Sequence, residues 1–270
     1  MTARARRNLL LAAVATCVAV AAGGWLYHKG REKLKDLLYQ TALKACRQAF
    51  FVEAMDIELQ MQWAACQETA AFVAQNMMKT QAFPNRFSLL SHSLKAIDPK
   101  LQKEGLHCEF GVGAGSSVNF IASQTSATIH GFDSWEGLPE DWRTGFEKGT
   151  FAMDGLPKVR PNVKLHKGWF NESLPVWAKE HPGPIAFIHF DADLYSSTKT
   201  VFDIIGDRIV PGTILQFDEY FNYPGWQDGE FKAFKEFVEA RNVKFEYIGY
   251  TNKDEQAAVR ILSIGAASTP

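Results

Sequence analysis

The chain has 270 residues, 46% of them hydrophobic and 22% charged, enough to bury one ordinary core and carry an extension. A net charge of −1 and a pI of about 6.7 provide no global basic field, which argues against nucleic acid as a partner. Four cysteines, Cys17, Cys46, Cys66 and Cys108, stand singly without a C-x-x-C, a pattern of neither a zinc site nor a disulfide scaffold, so a reducing compartment is expected.

Residues 9–27 form an uncharged run of 19 residues, about 28 Å long as a helix and enough to span a hydrocarbon core. The expectation is a single N-terminal membrane anchor within residues 1–30, with the rest of the chain on the cytoplasmic side because that is where the cofactor named below is made. Arg4, Arg6 and Arg7 precede the run and Lys29, Arg31, Lys33 and Lys35 follow it, so the flanking charges set no orientation. A cleavable signal around Val18-Ala19-Val20-Ala21-Ala22, a twin-arginine signal at Arg6-Arg7 and a transit peptide are the rivals. Residues 31–82 read as a helical extension. Apolar side chains recur there at Leu34, Leu37, Leu38, Ala42, Ala45, Cys46, Ala49 and Phe50, the spacing of one helical face. That face either packs on the main domain or serves as a stalk that pairs the chain into a homo-oligomer. Residues 83–270 form the main domain.

Within it, Cys108-Glu109-Phe110-Gly111-Val112-Gly113-Ala114-Gly115-Ser116-Ser117 reads as a strand, a glycine-rich turn and a helix start capped by the serines. Such a turn lets the backbone approach a ligand and presents helix N–H groups to it. The acidic Glu109 suits a cationic amino group, such as that of S-adenosylmethionine, better than a pyrophosphate. Apolar strands then alternate with helical stretches and end at Asp133, Gly168-Trp169-Phe170, Asp191 and Asp218-Glu219. Residues 244–250 and 257–264 close the chain as an antiparallel hairpin. The fold class is therefore α/β, with a Rossmann-like, doubly wound, mostly parallel seven-stranded sheet and a C-terminal antiparallel hairpin. In such sheets ligands sit outside the carboxyl ends of the strands, so Asp133, Asp191 and Asp218 should share one crevice. Asp133, 24 residues after Glu109, stands where an acid accepts bonds from ribose hydroxyls. Clustered carboxylates without a matching cation are costly, so a divalent ion, magnesium, is expected among them. The plainer reading of any one of these acids is a helix N-cap.

Five motifs in order resemble the macrocin and mycinamicin sugar O-methyltransferases across roughly residues 83–262. They are Glu109 to Ser116, Gly131-Phe132-Asp133-Ser134-Trp135-Glu136-Gly137-Leu138-Pro139, Gly168-Trp169-Phe170 with Leu174-Pro175, His189-Phe190-Asp191-Ala192-Asp193-Leu194-Tyr195, and Phe217-Asp218-Glu219-Tyr220. The resemblance implies S-adenosylmethionine as methyl donor and magnesium-dependent transfer to a hydroxyl, with a metal site like that of the catechol O-methyltransferases. Carried across by position, Glu109, Gly111, Gly113, Gly115 and Ser117 would line the methionine end. Asp133, with Ser134 beside it, would take the ribose, Trp169 would lie near the adenine, and Asp191, Asp218 and Glu219 would hold the metal. Glu219 is one methylene longer than the family's usual Asp or Asn. The lysine base of the catechol enzymes falls near Leu194, so Asp191 or Asp193 would take the proton. The long connection at residues 135–151, with Trp142-Arg143 inside it, would be a lid over a small-molecule acceptor. His130, His166 and His189 read as core histidines, and Phe231, Phe234 and Phe237 as the buried face of a helix. Two other classes fit parts of the pattern: an anchored glycosyltransferase using Asp191-Ala192-Asp193 as its D-x-D, and a catalytically silent scaffold on a methyltransferase fold.

Overall fold

The computed structural model describes residues 31–265, with the side chains of residues 31–34 and 49–53 outside that description. The chain divides into two compact units between Ala64 and Ala65. In the first, helix α1 (Arg31–Ala54) and the opening turns of α2 (Ile57–Asn76) run through sequence free of proline and glycine. Asp56 caps the start of α2 by accepting from the Leu59 amide at 3.2 Å. Leu37, Ile57 and Trp63 are each more than 60% exposed. The later turns of α2 belong to the second unit. Phe72 packs edge-on against Trp226, Phe231 and Tyr247, and Thr69 Oγ1 accepts from the Asn222 amide at 2.9 Å.

The second unit is a mixed sheet with helices on its faces. Its strands are β1 (Ala82–Phe83), β2 (Leu106–Phe110), β3 (Ile129–Asp133), β4 (Val163–Lys167), β5 (Ile185–Phe190), β6 (Ile209–Phe217), β7 (Lys244–Thr251) and β8 (Ala257–Ser263). The spatial order is β1-β7-β8-β6-β5-β2-β3-β4, with β8 antiparallel between β6 and β7. The doubly wound sheet and terminal hairpin match expectation, but eight strands replace seven. The addition, β1, pairs parallel with β7 through Ala82↔Tyr250 and Phe83↔Thr251. Two residues are too few to show a period of two, so nothing in the sequence marked it. Helices α3 (Arg86–Lys95), α4 (Pro99–Glu104), α5 (Ser116–Gln124), α6 (Phe170–Glu180), α7 (Tyr195–Ile205) and α8 (Glu230–Ala240) fill the connections.

One feature of the core sets the height of everything above it. Phe110, Phe132, Phe190 and Phe217 are register partners on adjacent strands and fully buried. Their rings stack in sequence across the sheet at 4.9, 6.0 and 4.9 Å. Each is the last core residue of its strand, so the next residues, Gly111, Asp133, Asp191 and Asp218, emerge at one level. The backbone ladder runs one step further, with Gly111 N, Asp191 N and Asp218 N donating to Phe132, Phe110 and Phe190 carbonyls at 2.8–2.9 Å. Phe234 and Phe237 of α8 are buried and Phe231 is partly buried, as the helical spacing predicts.

The membrane-anchored placement is corrected. The run at residues 9–27 lies outside the described residues, and among those residues no helix is long and apolar enough to cross a membrane. The assignment of the rest of the chain to the cytoplasmic side of a membrane, made from where the cofactor is produced, is left without the anchor it was paired with.

Candidate active site

A cleft of about 940 Å³ opens above the phenylalanine row at the carboxyl ends of β2, β3, β5 and β6. Its two ends differ in chemistry. At one end is the glycine turn. Gly111 has a φ of +88° and sits so close to the next strand that a Cβ there would lie 1.7 Å from the Asp191 carbonyl oxygen. Gly113, at +48°, has nothing within 4 Å of its Cβ position and leaves the backbone open to the cleft. Gly115 rather than a serine caps α5, at φ +84°, and no side chain bonds the helix start. Ser116 and Ser117 therefore form the first turn, whose uncapped N–H groups border the cleft.

Asp133 is the clamp of this turn. Its Oδ2 accepts from the amides of Val112 and Gly113 at 2.9 and 2.8 Å, and its Oδ1 from the Trp135 amide at 2.7 Å. Trp135 Nε1 returns a bond to the Gly113 carbonyl at 3.0 Å, closing the loop between the ends of β2 and β3. Asp133, Ser134 and Trp169 line the cleft. Glu109 and Gly115 do not. Glu109 is fully buried beneath the cleft floor, and its Oε1 meets His189 Nδ1 at 3.1 Å.

The other end is acidic. Asp191, Asp193 and Glu219 bring one carboxylate oxygen each within 4.8 Å of one another. Asp193 is held in the left-handed region, φ +61°, a conformation uncommon for a side chain of its kind. Glu219 Oε2 is buried without a partner. Glu230 braces these loops, its carboxylate accepting from the amides of Ala192 and Glu219 at 3.3 Å. Burial and the neighbouring charges raise all four acids: Asp193 to about 8, next to Glu230, and Glu230 to about 7, while Asp191 and Glu219 move well above the carboxylate range.

Asp218 behaves differently. Burial pushes its carboxyl up, but His189 and Arg86 outweigh that and hold it below the usual value. Arg86 Nη1 lies 3.1 Å from Asp218 Oδ2 and 3.7 Å from Asp191 Oδ2, and His189 Nε2 lies 3.5 Å from Asp218 Oδ1. For His189 itself burial disfavours the charge, yet the flanking carboxylates of Asp218 and Glu109 lift it to about 10, so it is an imidazolium at neutral pH. It is buried, as expected of a core histidine, but it is an ionic member of the cluster. The premise that these carboxylates lack a matching cation is thereby corrected: Arg86 and His189 supply two. Neither carried a usable sequence signal, since both reach the cluster only through strand pairing. His130 and His166 are core histidines of the plainer kind. His130 Nδ1 accepts from Trp177 Nε1 at 2.9 Å and lies 3.0 Å from His166 Nε2.

Residues 135–151 fold over the cleft. Gly137 passes so close to Gly149 that a Cβ would lie 2.3 Å from its carbonyl oxygen. Arg143 fastens the loop to the β7–β8 hairpin, with Nη1 3.1 Å from both Glu255 oxygens and its guanidinium 4.0 Å from the Trp142 ring and 4.8 Å from that of Tyr223.

The two ends fit the two groups the sequence suggested. An open glycine backbone, an uncapped helix start and a carboxylate with one spare lone pair suit an amino-acid-bearing nucleoside. An all-carboxylate donor set with an orphaned buried oxygen suits a hard divalent cation.

Residues 108–220 match the family model described as "Methyltransferase domain". A curated relative, the 8-demethyl-8-(2,3-dimethoxy-alpha-L-rhamnosyl)-tetracenomycin-C 4'-O-methyltransferase of Streptomyces olivaceus, is 29% identical over 138 residues, covering 42% of this chain and 51% of that protein. The chain thus matches about half the length of that relative. Two solved structures share the fold. CalS11, a calicheamicin methyltransferase, is 23% identical over 64% of this chain and 77% of its own, with a TM-score of 0.51. The O-methyltransferase NovP is 17% identical over 66% of this chain and 79% of its own, with a TM-score of 0.50. The matched stretch spans the glycine turn, the Asp133 clamp and Asp191, Asp193, Asp218 and Glu219, so the part of the chain that builds the cleft is similar to that family.

Proposed function

We propose that this protein is an S-adenosylmethionine-dependent O-methyltransferase that acts on a hydroxyl of a sugar-containing small molecule, assisted by magnesium. The observation that carries the reading is the two-ended cleft, with the Asp133-clamped glycine turn at one end and a cluster of carboxylates at the other. The relative named for methylating a rhamnosyl group supports the acceptor class. A D-x-D glycosyltransferase is disfavoured because residues 108–220, which contain Asp191-Ala192-Asp193, match a methyltransferase domain.

S-adenosylmethionine supplies an electrophilic methyl on a sulfonium. The chain's own work is then alignment and proton removal. Asp133 holds the turn and offers its one remaining lone pair, on Oδ1, to the ribose, while Trp169 presents an aromatic wall for the adenine. Asp191, Asp193 and Glu219 would hold the metal, with Asp218 adjoining. A divalent ion there would acidify the acceptor hydroxyl. Asp191 or Asp193 receives the proton, since both face the cleft. Trp142 and Phe146 of the lid exclude water. The test is calorimetric titration of S-adenosylmethionine into the full chain, followed by methyl transfer to rhamnosyl acceptors with magnesium or with a chelator. Micromolar binding and magnesium-stimulated transfer are expected. A folded protein that binds no S-adenosylmethionine would refute the reading, and transfer indifferent to the chelator would refute its metal component.

A further inference from the structure

We propose that Arg86 is the resident counter-ion of the acid cluster, that a divalent cation exchanges with it, and that its departure hands Asp218 to the metal. This rests on the metal-assisted reading above.

Topology brings the arginine here. Strand β1 runs parallel to β7, which is antiparallel to β8, which is antiparallel to β6. The carboxyl end of β1 therefore faces the same way as those of β5 and β6. Arg86 follows that end within three residues, at the first position of α3. The backbone there is pinned: Asn85 Oδ1 accepts from the Ser88 amide at 3.0 Å. The side chain is not. It is one-third exposed, lines the cleft, and its guanidinium has one close partner, Asp218, a second at 3.7 Å, Asp191, and the Phe87 ring at 5.3 Å.

The pairing decides which acids can share an ion. Among the described residues Asp191 converges with Asp193 and Glu219 on one side and with Glu109 and His189 on the other, whereas the resemblance implies Asp218 alongside Asp191 and Glu219. Asp218 stands aside because one oxygen is turned to Arg86 and the other to His189. A magnesium ion takes oxygens at about 2.0–2.1 Å, so an ion on Asp191 Oδ2 would crowd a guanidinium nitrogen that now lies 3.7 Å from that same oxygen. The two positive charges would repel each other across that oxygen. When Arg86 swings into the cleft, Asp218 loses its partner on Oδ2 and turns to the ion, giving the donor set the motifs imply. Without metal, Arg86 keeps the buried carboxylates from facing one another uncompensated.

The experiment is titration of MgCl2 into the full chain, by calorimetry and by thermal unfolding, for the wild type, Arg86→Gln and Arg86→Met, with Arg86→Lys as the variant that keeps the charge. Both neutral variants are expected to bind magnesium at least tenfold more tightly than the wild type. They should melt lower in its absence and regain wild-type stability when it is added, and Arg86→Lys should stay close to wild type. Equal or weaker magnesium binding by both neutral variants overturns the exchange, as does a lack of magnesium binding in every form. S-adenosylmethionine titrated into the same samples separates the two readings. Binding retained with magnesium affinity unmoved refutes the exchange alone, and binding absent from the wild type refutes the methyltransferase reading.

Discussion

Replacing Asp133 with Asn removes one charge and almost no volume, so its effect isolates the carboxylate. Three backbone amides converge on Asp133, two on Oδ2 and one on Oδ1. An amide side chain keeps a single acceptor oxygen. In its better orientation that oxygen retains Val112 and Gly113, and the NH2 group is set against the Trp135 amide. One charge-assisted bond is lost, worth roughly 1.5–3 kcal/mol, and a donor is left facing a donor. The two surviving bonds fall to about half their strength on losing the charge. Asp133 is part-exposed, so water recovers some of this, and a net loss of about 2–4 kcal/mol is expected. For a domain of this size each kcal/mol moves the melting temperature by roughly 2–4 °C, giving a fall of about 5–15 °C. Because the same bonds set the shape of the turn, S-adenosylmethionine affinity should fall at least tenfold in calorimetry. A variant that melts within 2 °C of wild type and binds the cofactor equally well would show that the carboxylate does not hold the turn.

Two further outcomes are expected away from the acid cluster. His130 is pushed down to about 3, first by burial and then by His166 and His181, and its Nδ1 already accepts the Trp177 N–H. Its ring should therefore stay neutral in an NMR titration from pH 8 to 5. The unfolded chain takes up that proton near its ordinary value of about 6.5, so this site withdraws stability as pH falls below 6.5, by at most about 1.4 kcal/mol per pH unit. A midpoint near 6.5 in the folded protein would refute this. Arg143→Ala removes the Glu255 pairing and the stacking on Trp142 and Tyr223, together about 2 kcal/mol. Limited proteolysis within residues 139–151 should accelerate by roughly tenfold or more and the melting temperature should fall by about 4–8 °C, and unchanged cleavage would mean Arg143 does not fasten the loop.

What the sequence made legible follows from locality. The strand ends could be read because Phe110, Phe132, Phe190 and Phe217 each close a short, largely apolar segment before a glycine or an acid, and the residue after each then stands at the sheet's carboxyl edge. That single rule placed Asp133, Asp191 and Asp218 together. Roles that depend on what lies opposite were not legible. Glu109 alternates inward and meets His189 instead of the ligand cleft, a fact fixed by the register Glu109↔His189. Ser116 and Ser117 look like caps by residue type, yet the left-handed turn at Gly115 takes the capping position and pushes them into the first turn.

The cations of the cluster were hidden for the same reason, and the consequence reaches the metal argument itself. A row of strand-end acids reads from sequence as a deficit of positive charge, because the acids are marked by their own flanking strands and their counter-ions are not. Arg86 arrives on a two-residue edge strand, and His189 is an inward residue of a fully apolar-looking strand until its two neighbouring strands supply Glu109 and, just past its end, Asp218. With both cations counted, the cluster no longer needs an ion in order to be folded. The remaining excess lies in Asp191, Asp193 and Glu219, whose converging carboxylate oxygens are what a divalent ion would satisfy. A metal would thus bind in place of one arginine, so its affinity should be set by Arg86 as well as by the acids.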